Sequence, residues 1–331
     1  KPLPSVRAEA LELIRDGAFE LSLIGQDTTS YRDDIGIGLG SAPPGRAHLA
    51  GLPGLLRTVS GAFDEAGVRD GWVRLMYAYP SNFSDLMIET LAELSALGGG
   101  GRVVPYIDIP LQHASDRMLT AMRRNVSAGH QRALIHRLRE RVPGMAVRTT
   151  FISGFPGETE ADHAELLRFV EEMRFDALGV FTYSPEDQTV AGRMEGDPAL
   201  AVPAEVKERR REELMLLQQK LAFARAASHA AAFDEHKPGR GGVRFDVLID
   251  AATGTAGRAT AGVSKGGGLY QGRTYFQAPQ VDAVTFVQSA RRLSPGELVR
   301  CVVVGSDGYD LVARPVDDLE NRTPLRVLRR S

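Results

Sequence analysis

Five apolar, β-rich runs, each set off from the next by a segment of helical period, occupy the first two-thirds of this 331-residue chain. The runs are FELSLIG (19–25), WVRLMYA (72–78), VPYIDIPL (104–111), VRTTFISG (147–154) and ALGVFTYS (177–184). The helical segments are 4–16, 52–66, 83–97, 115–141 and 159–174. Near-continuous apolar strands are covered on both faces, and a helix between successive strands returns the chain so that they pair in parallel. The pattern restricts this part to an α/β fold with a parallel sheet or barrel. It also limits where chemistry can sit, because ligands of such folds bind beyond the carboxyl ends of the strands. The series opens on a helix, PSVRAEALELIRDG, with no strand before it and Lys rather than Met at position 1. The chain therefore reads as one whose beginning has been removed.

A different texture follows. Residues 204–233 read as one long Ala/Leu/Glu/Arg helix, and Pro238-Gly239 separates it from what comes next. From 243 to 314, short strands alternate with Gly-rich turns: VRFDVLID, GTAGRAT, GGLYQGRTYF, VDAVTFVQ and LVRCVVVGSDGYDLVARP. That spacing predicts a small all-β barrel. The expected organisation is an α/β body over 1–203, a linking helix over 204–235, a β-barrel over 236–316 and a tail over 317–331.

Composition excludes several classes. The chain is 43% hydrophobic and 25% charged, with no apolar run long enough to cross a bilayer and no secretory segment at its start. A soluble cytoplasmic protein is expected. The net charge of −2 conceals an asymmetry: residues 1–203 hold 20 Lys+Arg against 27 Asp+Glu, a balance of −7, and residues 204–331 hold 20 against 15, a balance of +5. The basic part either meets an anionic partner or is the solvated face of a helix. Cys301 is the only cysteine, so the chain can form no internal disulfide and no Cys-based metal site. Its setting, VRCVVVG, marks a buried structural thiol rather than a nucleophile. No His/Cys/Asp cluster has zinc spacing, and no Walker-type phosphate loop is present.

The loops that follow the strands are GQDTTSY (25–31), YAYPSNF (77–83), PLQHASD (110–116), SGFPGET (153–159) and TYSPEDQT (182–189). In SGFPGET, Gly154 and Gly157 let backbone approach a ligand and Pro156 stiffens the turn, while Thr159 and Asp162 form a capping box for the next helix. A ligand cradle and a well-made helix start both satisfy that turn. GQDTTSY offers a glycine, the Gln26 amide and the Asp27 carboxylate, groups suited to an amino-acid moiety or to a polar loop closing the barrel. Gln112 is the better ligand candidate in PLQHASD, since Ser115 reads as an N-cap and His113 as a hydrogen-bonded loop residue. His130 and His163 read as surface residues of amphipathic helices, and Arg148 as one half of a structural ion pair.

LSLIGQDTTSY, YIDIPLQHASDRMLTAMRR, TTFISGFPGETEADHAELLRFVEEMRFDALGVFTYSPED and GRTYFQAPQVDAVTFV resemble the methylthiotransferase family of radical S-adenosylmethionine enzymes, in the right order and over nearly the whole chain. Asp27 after GQ, the QHASD run and FTYSPED resemble the branch that modifies an aspartate of the small-subunit ribosomal protein numbered twelve. The tRNA-modifying branch more often has Asn after GQ and QSGSD in place of QHASD. The C-terminal barrel resembles a TRAM domain, which implies recognition of the ribosomal protein and a possible RNA contact. The fold implied is an incomplete radical-SAM (βα) parallel barrel followed by a small TRAM-like β-barrel.

The resemblance implies two 4Fe-4S clusters and S-adenosylmethionine, a radical that abstracts hydrogen from the aspartate β-carbon, and a second cluster that delivers methylated sulfur. On that analogy Gly25, Gln26 and Asp27 lie near the methionine end of the cofactor, Gln112 lines the same pocket, and Gly154, Gly157, Glu158 and Tyr183 pack around the nucleoside. The family's CxxxCxxC loop is missing, so this chain by itself is expected to hold no cluster and to be inactive, with no catalytic or metal residue of its own. The alternatives are a tRNA methylthiotransferase and a non-catalytic RNA- or protein-binding module. For docking on a basic ribosomal protein, Asp246, Asp250 and Asp282 are the candidate contacts.

Overall fold

Each of the five apolar runs becomes a strand: β1 Glu20–Leu23, β2 Trp72–Leu75, β3 Val103–Asp108, β4 Ala146–Ser153 and β5 Ala177–Thr182. They form one parallel sheet in sequence order, β1-β2-β3-β4-β5, with Leu23 opposite Leu75, Asp108 opposite Arg148 and Ser153 opposite Thr182. Among the described residues the sheet is open, and β1 and β5 are its edges. The computed structural model describes residues 1–31, 49–97, 101–186, 188–237, 241–254 and 267–320. The chain divides into two compact units, Lys1–Leu221 and Ala222–Ser331.

In the first unit the helices α1 Leu3–Arg15, α2 Gly51–Glu65, α3 Asp85–Glu93, α4 Asp116–Ala121, α5 Ala128–Arg141, α6 Glu160–Met173 and α7 Val190–Glu195 accompany the sheet. One core joins α1, α2, α3, α5 and α6 to the strands through Ile14, Leu56, Phe63, Ile88, Leu134, Phe151 and Phe169, all buried. The rings of Phe151, Phe169 and Phe175 pack edge-on or tilted at 5.8–6.3 Å between centroids.

The expected helix over 115–141 is in fact two. Arg123 adopts φ 56°, and Ser127 starts α5 by accepting from His130 N at 3.1 Å. Asp116 Oδ1 accepts from Ala128 N at 2.7 Å, so the break is stapled across its own gap. The Ser127 cap was present in the sequence as a start signal inside an otherwise continuous period.

A 28-residue helix, α8 Ala204–Ala231, contributes Leu214 to the first core and Ala226 to a cluster in the second unit. The second unit is a closed five-stranded barrel in the order β10-β8-β7-β6-β9, made of β6 Arg244–Gly254, β7 Gly268–Arg273, β8 Thr285–Ser289, β9 Leu298–Asp307 and β10 Asp310–Pro315. A short helix, α9 Val316–Glu320, follows. The expected strand GTAGRAT lies outside the described residues except for Gly254. Val247, Ile249, Tyr270, Val287, Leu293, Val299, Cys301 and Ala313 fill the barrel. Closure brings β7 so near β6 that a Cβ on Gly272 would stand 2.5 Å from the Leu248 carbonyl oxygen. No helix among the described residues is long and apolar enough to cross a membrane.

Candidate functional site

Parallel strands end on one side, so the five loops beyond them share one edge of the sheet. All eight candidate residues, Gly25, Gln26, Asp27, Gln112, Gly154, Gly157, Glu158 and Tyr183, directly follow β1, β3, β4 or β5. Their surroundings sort them into two groups.

The first group lies toward β1. Gly25 and Gln26 are exposed, and a Cβ on Gly25 would meet only Thr28 Cγ2, at 3.7 Å. The Asp27 carboxylate is engaged locally: it caps the short 3₁₀ turn Thr28–Ser30 by accepting from Thr29 N at 3.0 Å, and it also accepts from the Thr29 and Ser30 hydroxyls. Asn82 Nδ2 donates to it at 2.8 Å and thereby ties the loop after β2 to the loop after β1. Burial raises the Asp27 pKa, but the hydrogen bonds from Ser30, Thr29 and Asn82 outweigh it and hold the carboxyl below its ordinary range.

Around β3 and β4 the site is dense and inward-facing. Gln112 has φ 72°, yet both of its backbone groups are committed to β4, its N–H to Thr150 O and its carbonyl to Ile152 N, each at 2.9 Å. A non-glycine residue in the left-handed region stays there only when its surroundings hold it. The half-buried Gln112 side chain is therefore presented from a fixed backbone. Next to it, His113 is fully buried, and its Nδ1 accepts from Ala114 N at 2.9 Å and Ser115 N at 3.0 Å. Nδ1 as acceptor places the ring proton on Nε2, which stands 3.6 Å from Glu158 Oε1.

Glu158 has no exposed side-chain surface. It accepts from Gly154 N and lies 3.3 Å from Arg210 Nη1, which also donates to the Glu158 carbonyl at 3.1 Å. His163, expected on the surface, is buried: its Nδ1 is 4.0 Å from Glu158 Oε1 and its Nε2 is 2.7 Å from Glu213 Oε2. Its position on α6 opposite α8 is a tertiary fact that helical period alone does not contain.

The turn SGFPGET holds protein rather than open space. A Cβ on Gly154, which has φ 73°, would fall 2.1 Å from Lys207 Cγ, so the close approach that glycine permits is taken by the Lys207 stem of α8. Gly157 N donates to Leu200 O at 2.6 Å, and Arg117 Nη2 donates to Gly157 O at 2.7 Å. The capping box of Thr159 and Asp162 is present. Ser115 stands at the N-cap of α4, but its hydroxyl donates to Asp162 Oδ1 at 2.7 Å instead of capping. Burial raises the Asp162 pKa, yet Arg117, Ser115 and Thr159 together hold the carboxyl far below its ordinary range. Arg148 pairs with Asp108 at 3.1 Å as a structural ion pair.

Tyr183 packs against Phe155 at 5.2 Å, and Lys207 Nζ lies 5.1 Å from its ring centroid. Its hydroxyl is buried, with Thr189 nearby but without hydrogen-bond geometry. Burial, Glu195 and Glu186 push its pKa up. No direct hydrogen bond joins Gly25, Gln26 or Asp27 to Gln112, Glu158 or Tyr183 among the described residues.

An iron–sulfur cluster needs thiolate ligands, and Cys301 does not fit that role. It is buried inside the β-barrel, where burial, with Asp246 and Asp318 nearby, pushes its thiol far above the ordinary range. No group of three or more His, Cys, Asp or Glu able to hold a metal ion is found among the described residues.

A parallel βα sheet whose polar loops gather at its carboxyl edge is the arrangement captured by the Radical SAM superfamily model, which matches residues 2–170, and the chain belongs to that superfamily. A TRAM domain model matches residues 242–316, the barrel. The chain is 39% identical over 98% of its length to a protein of Anaeromyxobacter sp. (strain Fw109-5) named ribosomal protein uS12 methylthiotransferase RimO. It is 37% identical over 95% of its length to the protein of that name from Pelotomaculum thermopropionicum. The chain covers 59% and 60% of those relatives' lengths.

Proposed function

We propose that this chain is the sheet-and-TRAM portion of a methylthiotransferase that places a methylthio group on the β-carbon of an aspartate in the small-subunit ribosomal protein uS12. The observation that carries this reading is the 39% identity to a uS12 methylthiotransferase across 98% of the chain. Three of the four quoted sequence runs also include a loop at the carboxyl edge of the sheet, and the fourth lies in the barrel.

S-Adenosylmethionine would be held there by the open Gly25 and Gln26, by Gln112 on its fixed backbone and by Tyr183. When bound, it supplies the radical chemistry for which the superfamily is named. Asp27 fixes the first loop, while Gly154, Gly157 and Glu158 fix the turn behind Gln112. The reduction that starts the chemistry is assigned to no residue of this chain, because its only thiol is buried in the barrel. The working division is 1–203 for the sheet unit, 204–235 for the linking helix, 236–316 for the TRAM-like barrel and 317–331 for the tail.

Docking of uS12 through Asp246, Asp250 and Asp282 loses support. Asp246 is paired with Arg300 at 3.2 Å, Asp250 with Arg273 at 2.5 Å, and Asp282 accepts from Ala278 N at 2.8 Å. The first two carboxylates are partly neutralised by their arginines, and the third is engaged by backbone within the barrel.

Deleting the gene and comparing mutant with parent by mass spectrometry tests the reading. The methylthio group should disappear from the uS12 aspartate and remain on tRNA. Its loss from tRNA would reassign the enzyme to the tRNA-modifying branch. Loss from neither would favour a non-catalytic binding module.

A further inference from the structure

Four of the five loops at the carboxyl edge carry a residue assigned above to the cofactor or to the turn behind it; the loop after β2 carries none. That loop begins with Tyr77, which is 46% exposed although its neighbours Met76 and Ala78 are buried. Its φ is 56°, in the left-handed region that disfavours any residue with a Cβ. The conformation is clamped on both sides. Thr28 N donates to Tyr77 O at 3.0 Å and Thr28 Oγ1 reaches the same oxygen at 3.1 Å, while Met76 N bonds Leu23 O at 3.0 Å and Ala78 N bonds Asp108 O at 2.8 Å. Glycine would meet this backbone without strain. The chain instead keeps a large ring there, half in solvent.

We infer that Tyr77 is a substrate-binding residue, its ring the platform for the polypeptide segment that flanks the target aspartate. The inference rests on the methylthiotransferase reading. A tyrosine gives a rigid apolar face with a polar end, and that face attracts Lys and Arg. A protein that neutralises ribosomal RNA is rich in those residues. Residues 1–203, which bear this edge, carry a balance of −7, which draws a basic polypeptide and repels RNA.

The test is binding of fluorescently labelled uS12 to the full 331-residue chain at physiological salt, followed by anisotropy, alongside thermal melting. Tyr77→Gly should leave Tm unchanged or raise it while weakening uS12 binding at least about tenfold, the loss of a hot-spot residue. Tyr77→Phe, which keeps the face, should stay within about twofold of wild type. Unchanged binding by Tyr77→Gly overturns the inference and leaves the methylthiotransferase reading standing. A lowered Tm with a matching loss of binding shows a packing role and overturns it too. Wild-type protein that ignores uS12, or that prefers tRNA and loses that preference in Tyr77→Gly, overturns both.

Discussion

The open parallel sheet and the closed barrel solve the burial problem by different means. The sheet unit buries charge: Arg74 has no exposed side-chain surface, pairs with Glu20 at 2.6 Å and lies 4.5 Å over the Tyr106 ring. Glu158 is buried among His113, His163 and Arg210. The barrel's interior is apolar, buried polar groups such as Arg273, Thr274, Gln277 and Thr285 are bonded to one another or to Asp250, and pairs such as Arg300–Asp246 stay partly exposed. Its constraint is steric, at Gly272 against the Leu248 carbonyl. A unit that must present polar loops at a fixed edge needs charged partners beneath them; a unit that closes its own strand hydrogen bonds needs shape and few buried charges.

Breaking the two kinds of device should cost different amounts. Arg74→Ala removes the buried guanidinium that faces the Glu20 carboxylate and should destabilise the sheet unit by about 3–5 kcal/mol in urea unfolding, and an apolar replacement of both partners should recover most of that. If Arg74→Ala alone costs little, burial of charge is not what distinguishes the sheet. Gly272→Ala should cost the barrel roughly 1–3 kcal/mol, because backbone rather than a flexible side chain opposes the new methyl. Nearly unchanged stability would show that the barrel can widen.

Asp162→Asn comes next, at about 1–2 kcal/mol, through weakened bonds to Arg117, Ser115 and Thr159. The sign of its pH dependence follows from its depressed folded pKa. Its contribution is fully present above the ordinary aspartate value of 3.8 and is lost as pH falls through the lower folded value. Wild-type stability should therefore fall below about pH 4 more steeply than that of Asp162→Asn. Parallel acid titrations of the two would remove Asp162 from the account. The smallest effect belongs to Arg300→Ala, an exposed pair in the barrel, at about 0.2–1 kcal/mol and screened by salt.

The apolar runs were legible because a strand covered on both faces has to be apolar along its length. All five fall where they were read, with carboxyl ends one to three residues shorter and with β3 and β4 each starting one residue earlier. The capping box at Thr159, the Arg148 ion pair and the buried Cys301 were legible as well, since each follows from local order or from the company a residue keeps. The break at Arg123 was missed although Ser127 carried a start signal, because the apolar period ran on across it.

By itself the sequence determined the parallel sheet, the barrel and the edge at which the loops collect, because strand pairing and crossover direction follow from pattern. Only the tertiary structure decided which loop residues remain open. It placed Lys207 in the space that Gly154 leaves, turned Glu158 and His163 inward, engaged Asp27 with its own loop and left Tyr77 exposed. Those outcomes depend on where α8 and the neighbouring loops come to rest, and distances between residues far apart in the chain are set by packing rather than by local sequence.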